Sequence, residues 1–510
     1  MPGIVTSKFR LHNAEQFYEA FSEPASINTR MYLFIGRTRA WATDSSPPTP
    51  TDTFGGTNYI SWKDLIAAKR ITASDVSYAV RRINWANNTF YTAYTDDNPN
   101  LSSNNFFVVT DTYNVYKCID NNNGTNSTVK PTTTTTSTVQ LADGYKWKFM
   151  YSISTADALK FLTTNYIPVK TLIADDSSAQ WDVQQAASNG TLEAVLVTNG
   201  GSGYISTNGT ITLVNSAAIT LAGSASGTDD IYNGSTLYIR SGLGAGQIKE
   251  ITNYVGATKV ATLNSAFTIS PNTSSGYYVG PKVTISGDGS GASAYANVVT
   301  GAIDKVNLIS GGSNYGSASV TISANSGTSA VTVAPAPPYG GHGANPVEEL
   351  LAHNIMMNVK LTGTESNTFI VNNDFRVVGI LKNPLLANGA QANSSVYDLT
   401  TKLTLTSVSG TFQNDELISG GTSGASARIL QFANTNASGN AGILSISTIT
   451  GSFSNTETVT GNTSSITATI SGINQRDLQD ASGKILYIEN RPPVTRASDQ
   501  IEDIKLIIRY

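Results

Sequence analysis

The sequence repeats itself, and that duplication limits the folds open to it more than any other feature. Gly410-Thr-Phe-Gln-Asn-Asp-Glu-Leu-Ile-Ser-Gly420 returns as Gly451-Ser-Phe-Ser-Asn-Thr-Glu-Thr-Val-Thr-Gly461, an offset of 41 residues, and the match carries on through 422–429 and 463–470. Phe, Glu and Gly at fixed spacing among Val, Ile and Thr mark a β-hairpin unit that cannot bury its apolar face alone. Two copies are too few for a solenoid, so the duplication predicts a decoration domain over 406–473. A looser repeat joins Val195-Leu-Val-Thr-Asn-Gly-Gly-Ser-Gly-Tyr204 to Val306-Asn-Leu-Ile-Ser-Gly-Gly-Ser-Asn-Tyr315. Each copy leads, directly or after an insertion, to Val-Thr-Ile at 283–285 or 320–322. The unit is a strand, a Gly-rich turn needing positive φ, an aromatic anchor and a further strand. The stretch of about 210–280, with strands around 235–240, 247–252 and 260–263, reads as a small β-domain inserted into the first copy.

Outside the repeats the pattern is α+β before residue 190 and strand-rich at the C-terminus. A short strand is expected over 4–9, and Asn13 with Gln16 forms a capping box that opens a short helix carrying Phe17 and Phe21 on one face. Met31–Gly36 reads as a strand, 45–51 as a loop, and 61–70 as a short amphipathic helix. The Thr tract 132–136 reads as a surface loop. Asn345 as N-cap, Pro346 at N1 and Glu348 at N3 start another short helix, ending near Asn354. A strand over 485–491 is expected to end at Pro492-Pro493. In the closing segment Ile504, Leu506, Ile508 and Tyr510 alternate with Lys505 and Arg509, so this strand must join a sheet built by earlier sequence.

Charge narrows the function classes. Asp, Glu, Lys and Arg make up only 13% of the chain, against roughly 25% in ordinary soluble domains. Gly, Ser, Thr and Asn take their place, which favours many short strands and tight turns over helices. Net charge is −4 and no basic run occurs, so the Lys and Arg clusters that displace counterions from phosphate are missing and no nucleic-acid partner is expected. The single Cys118 cannot form an internal disulfide and reads as a small buried hydrophobe. No apolar run suits a signal peptide or a bilayer span, so synthesis in a reducing cytosol and no membrane contact are expected.

Catalytic chemistry needs titratable groups at matched pKa, and few are offered. Of His12, His342 and His353, the last two with Glu349 could share a metal, but the simpler reading is that Glu348 caps the helix and His353 is a helix C-terminal residue favoured by the dipole. Asp120-Asn-Asn-Asn-Gly124-Thr-Asn126 lacks the Gly and Glu positions of an EF-hand loop. Gly242-Leu-Gly-Ala-Gly246 lacks the Lys-Ser/Thr pair of a phosphate loop. The carboxylate pairs Asp96/Asp97 and Asp229/Asp230 lie in turn-like contexts. No catalytic residue, metal or cofactor is expected.

Three ordered segments resemble a known family, the gene-8-type baseplate wedge proteins of T-even-like contractile-tailed bacteriophages. The first is Ile4-Val-Thr-Ser-Lys-Phe-Arg10, Phe17-Tyr18, Asn28-Thr29, Phe34-Ile-Gly-Arg37 and Trp41. The second is Asp143-Gly-Tyr145 with Trp147 and Tyr151. The third is Tyr487-Ile-Glu-Asn-Arg-Pro-Pro493, Asp499-Gln500 and the closing strand. The resemblance implies a β-rich homodimer bound to neighbouring wedge subunits, without enzymatic activity, assembled in the host cytoplasm and carried in the virion tail baseplate. The Gly-rich repeats depart from the family pattern and read as exposed insertions, to which any host-surface or fibre contact would fall.

The expected fold is mainly β: a multi-layer β-sandwich core formed by the N- and C-terminal segments with a few short helices, plus inserted small β-domains. Its divisions are 1–190 as the N-terminal part of the core, 191–340 as the Gly-rich repeat module, 341–405 as the return to the core, 406–473 as the duplicated module and 474–510 as the completing strands. Arg491, Pro492, Pro493, Tyr487, Arg37 and Trp41 are the candidate partner-interface residues, because proline fixes the corner and Arg pairs bidentately with carboxylates. The alternative is a tail-fibre or receptor-binding module gripping host glycan, which requires an exposed aromatic platform from Tyr204, Tyr277, Tyr278 and Tyr315. A polysaccharide-degrading enzyme would need convergent carboxylates in a groove.

Overall fold

A computed structural model of the chain describes residues 4–23, 29–51, 53, 59, 61–215, 217–323, 326–365 and 368–510. Asn28, one of the residues of the family resemblance, lies outside them. The chain divides into two units, Met1–Ala79 with His353–Tyr510, and Val80–Ala352.

The first unit is built on a five-stranded antiparallel sheet in the order Val396–Asp398, Leu65–Ile71, Met31–Gly36, Asn373–Lys382, Lys484–Arg496. Every residue of Met31–Gly36 is buried, because both faces of this strand are covered, and a doubly covered strand reads as a continuous apolar run. On one face Met31, Leu33, Ile35, Val378 and Ile380 pack with Ile355, Met357, Val359, Ile504 and Leu506. Those last residues come from a second sheet in which Asn354–Thr362 pairs with both Val76–Arg81 and the closing strand Ile501–Arg509. On the other face Tyr32, Phe34, Leu65, Ala68, Val377 and Leu381 meet Trp62, Tyr397 and Leu478. Segments from both ends of the chain therefore share one core.

Four local expectations need correction. No strand occupies 4–9: the helix runs Ser7–Glu19, with Thr6 as N-cap accepting Phe9 N at 3.2 Å, so Asn13 is interior to it. Phe17 and Phe21 do meet, edge to face at 5.3 Å. The helix expected over 61–70 stops at Lys63, and Leu65–Ile71 is a strand paired with Met31–Gly36. Its Leu-Ile-Ala-Ala run is short and wholly apolar, and an inner position between two covered faces overrides helix propensity. The helix begun by Asn345 covers only Pro346–Glu349, and Asn354 already belongs to a strand. The strand expected to end at Pro492 continues to Arg496, passing the prolines as a bulge between the pairs Val377↔Asn490 and Phe375↔Val494.

The duplicated segment forms a closed six-stranded barrel in the order Thr401–Thr406, Ala441–Thr450, Ser426–Asn434, Leu417–Gly420, Thr458–Gly461, Thr467–Asn474. Leu403, Phe412, Ile418, Ile429, Leu444, Val459 and Ile470 fill it. The two copies exchange carboxylates. Glu416 of the first accepts Thr463 N at 3.1 Å and Ser464 N at 2.8 Å in the turn of the second. Glu457 of the second accepts Thr422 N at 3.2 Å and Ser423 N at 2.9 Å in the turn of the first. A Cβ on Gly420 or Gly461 would come within 2.6 or 2.7 Å of those carboxylate oxygens, which is why both turns carry glycine there.

The second unit contains a sheet ordered Phe107–Val109, Asn114–Asp120, Lys146–Ser152, Val139–Gln140, whose core includes Tyr91, Tyr116, Tyr145, Trp147 and Cys118. Its Gly-rich repeats are interleaved. Leu196–Ser202 of the first copy pairs with Thr328–Val333 of the second, and Ala302–Ser313 of the second pairs with Ser290–Val299 of the first. The two Val-Thr-Ile strands pair with each other, Thr284 opposite Thr321. Residues 207–280 form a separate seven-stranded sheet around Leu237, Ile239, Ile251, Tyr254 and Tyr277.

Candidate assembly interface

Lys484–Arg496 is an edge strand of the five-stranded sheet, and an unpaired edge is where a second chain can join. Over Arg491-Pro492-Pro493 the edge is blunted, since proline offers no N–H and the bulge breaks the ladder. The loop after Met31–Gly36 covers part of it: Trp41 Nε1 donates to Arg491 O at 2.8 Å, and Asn490 Nδ2 donates to Pro48 O at 2.8 Å. Arg491 remains 43% exposed, 3.7 Å from Glu489. Tyr487 O–H donates to Glu489 Oε2 at 2.6 Å, and burial together with that bond raises the phenol's pKa. Pro492 is exposed and Pro493 half-buried. Arg491, Pro492, Pro493, Tyr487 and Trp41 thus gather at one edge.

Arg37 faces inward instead. Its guanidinium, 7% exposed, lies 2.7 Å from Asp374 and 2.8 Å from Asp415. Arg376 adds a contact of 3.0 Å to Asp374, and Arg428 bonds the Arg37 carbonyl and lies 3.9 Å from Asp64 and Asp415. Asp415 and Arg428 belong to the barrel segment, the others to the sheet segments, so this ion cluster ties the two together within the unit. Burial raises Asp64, against the hydrogen bond from Thr448 and the charge of Arg428.

A second charged cluster lies inside the unit Val80–Ala352. Lys117 bonds Glu349, and His342 Nδ1 stands 3.9 Å from the same carboxylate. Burial, and then the charges of Lys117 and Lys148, hold His342 well below the usual imidazole range. The expectation that Glu348 caps the helix is corrected here: the Glu349 carboxylate reaches back to Asn345 N, at 3.2 Å. Glu349 and His342 were suggested by sequence, but Lys117 was not, since no spacing rule connects residues 232 positions apart. Among the described residues no group of three or more His, Cys, Asp or Glu side chains is placed to hold a metal ion.

The glycan reading required an exposed aromatic platform. Tyr204, Tyr277, Tyr278 and Tyr315 are instead buried, Tyr277 in the core of the seven-stranded sheet and Tyr204 and Tyr315 in that of the repeats.

No curated protein matches the chain. The family model described as Phage-Gp8, Bacteriophage T4, Gp8, matches residues 3–138 and 424–510, leaving the interleaved repeats outside the match. Both matched stretches contribute strands to the shared sheet, Met31–Gly36 and Lys484–Arg496 pairing with the two sides of Asn373–Lys382. Over those two stretches the chain is similar to the gene 8 baseplate wedge protein of bacteriophage T4, a similarity that indicates a structural subunit of a phage tail baseplate wedge, in contact with other baseplate subunits.

Proposed function

We propose that the protein works as a non-enzymatic homodimer that links neighbouring wedge subunits through the edge at Tyr487, Arg491, Pro492, Pro493 and Trp41. The observation that carries this reading is the Arg491-Pro492-Pro493 bulge on an outer strand. It presents a half-exposed guanidinium on a backbone stiffened by two prolines, with little conformational freedom left to lose on binding. Arg37 supports the edge from beneath through Asp374 rather than touching a partner. The modules 191–340 and 406–473 are insertions on the core 1–190, 341–405 and 474–510, and any contact with fibres or host surface belongs to them.

Light scattering on the purified chain should give twice the mass of one chain, and Arg491→Ala should weaken co-purification with the other wedge subunits while leaving the melting temperature unchanged. A trimer that binds host glycan, or wild-type co-purification by the Arg491→Ala protein, would overturn the proposal.

A further inference from the structure

In the interior of Val80–Ala352, Lys117 and Glu349 side chains are 0% and 1% exposed and Lys117 Nζ bonds Glu349 Oε2. Glu349 Oε1 accepts Gly343 N at 2.7 Å and Asn345 N at 3.2 Å. His342 Nδ1, 3.9 Å from Oε2, is buried and has no hydrogen-bond partner among the described residues. The Tyr94 ring closes the site, 4.8 Å from Lys117 Nζ and edge-on to His342 at 5.1 Å. We propose that Lys117 and Glu349 condense into an intramolecular amide, with His342 moving the proton.

The parts match the needs of acyl transfer. Two separated charges are costly in a dry interior, and passing one proton from ammonium to carboxylate removes both, leaving an amine lone pair against a carboxylic acid. Fixed contact replaces a bimolecular encounter. Nζ bonds to Cδ while the carbonyl electron pair moves onto Oε1, where two backbone N–H groups stand as an oxyanion hole. The surplus proton on Nζ passes to His342 Nδ1 and from there to the Oε2 hydroxyl. The Cδ–Oε2 bond breaks with its electron pair, one water leaves, and the carbonyl re-forms at Oε1. Nothing is oxidised or reduced, and His342 ends as it began. The neighbouring pair Lys148–Glu193, at 3.1 Å with Glu193 only partly buried, differs. Lys148 also donates to Thr136 O and Glu193 accepts from Thr138, so both groups are held as an ordinary hydrogen-bonded ion pair.

The test is the intact mass of the full chain, denatured after purification, followed by proteolytic mapping. The expected result is a mass lower than the sequence by one water, with a branched peptide joining positions 117 and 349. Glu349→Gln should give the same branched peptide by loss of ammonia, and His342→Ala should accumulate it more slowly after synthesis. Recovery of linear peptides with free Lys117 and Glu349 from the wild-type protein would overturn the proposal, as would a water loss mapped elsewhere; neither depends on a variant folding.

Discussion

Substituting Glu416 by Gln tests whether the two halves of the barrel are held by exchanged carboxylates. Glu416 is 5% exposed and takes four donors: Gln413 N at 2.7 Å and Ser464 Oγ at 2.8 Å on Oε1, Thr463 N at 3.1 Å and Ser464 N at 2.8 Å on Oε2. A glutamine keeps the shape but has only one acceptor oxygen. Its best orientation puts the NH₂ at the Oε1 position, where the Ser464 hydroxyl can rotate to accept but Gln413 N loses its partner. One unsatisfied buried donor plus three weakened charge-assisted bonds comes to about 2–3 kcal/mol. Amide exchange in the barrel strands of the full chain should therefore quicken by roughly 30- to 150-fold, read by mass spectrometry because the barrel segment contains no Trp or Tyr. The effect also has a pH signature. Burial pushes the Glu416 carboxyl up, but the Ser464 and Gln413 N–H groups and the Ser464 hydroxyl outweigh it, so the folded pKa lies below the ordinary value. Glu457 is shifted the same way by Ser423 and Ser454. A depressed carboxylate stabilises fully above the unfolded pKa of about 4.3 and is lost as pH falls through the folded value. Wild-type barrel protection should fall off below about pH 4, and the Glu416→Gln barrel should show a shallower fall. Equal protection in both proteins at neutral pH, or an identical acid profile, would refute the reasoning.

Two further substitutions probe the shared core. Gly379→Ala would set a Cβ 2.3 Å from Phe34 Cζ and 2.3 Å from the Tyr487 carbonyl oxygen, so the strand Asn373–Lys382 must shift against its neighbours; a loss of about 2–3 kcal/mol in urea unfolding is expected, and a wild-type midpoint would show that the sheet has slack there. Arg496, 1% exposed, bonds Glu502 at 3.1 Å and Gly363 O at 2.6 Å; Arg496→Met leaves the Glu502 charge buried alone and should cost about 3–5 kcal/mol, with Glu502→Leu added to it restoring much of the loss. Failure of the double variant to recover would mean that the Gly363 contact, not the ion pair, matters.

How much of this was legible depended on whether the signal was local. The strand Met31–Gly36 and the alternating closing strand follow from composition and period. The barrel duplication was visible in sequence, yet the reason for its repeated Glu was not, because each Glu serves the turn of the other copy. Asn13 reads as a cap in place of Thr6 because the offset of seven residues between them is close to two whole turns, so moving the helix start leaves nearly the same apolar face. Leu65–Ile71 misled because a short apolar run carries no period of its own. At the candidate edge, Arg37 was recognised as part of a motif, but its inward orientation is set by Asp374 and Asp415, both distant in sequence. The Lys117–Glu349 pair is hidden for the same reason.

The connectivity explains how so much inserted sequence leaves the core intact. Lys382 is opposite Lys484, so the barrel grows out of what is otherwise the turn of a β-hairpin. Ala79 is opposite Asn354, so the first unit's chain also leaves and re-enters at neighbouring positions of one ladder. An insertion whose ends are already held a strand spacing apart adds little loop-closure cost, and that cost grows only slowly with length. Each module must then supply its own cooperativity, and the two duplicated ones do so by exchange. Strands are traded between copies in the Gly-rich module, and carboxylates between turns in the barrel. Half of either would leave a ladder unpaired or a turn's N–H groups without an acceptor, so each duplication stands or falls as a whole.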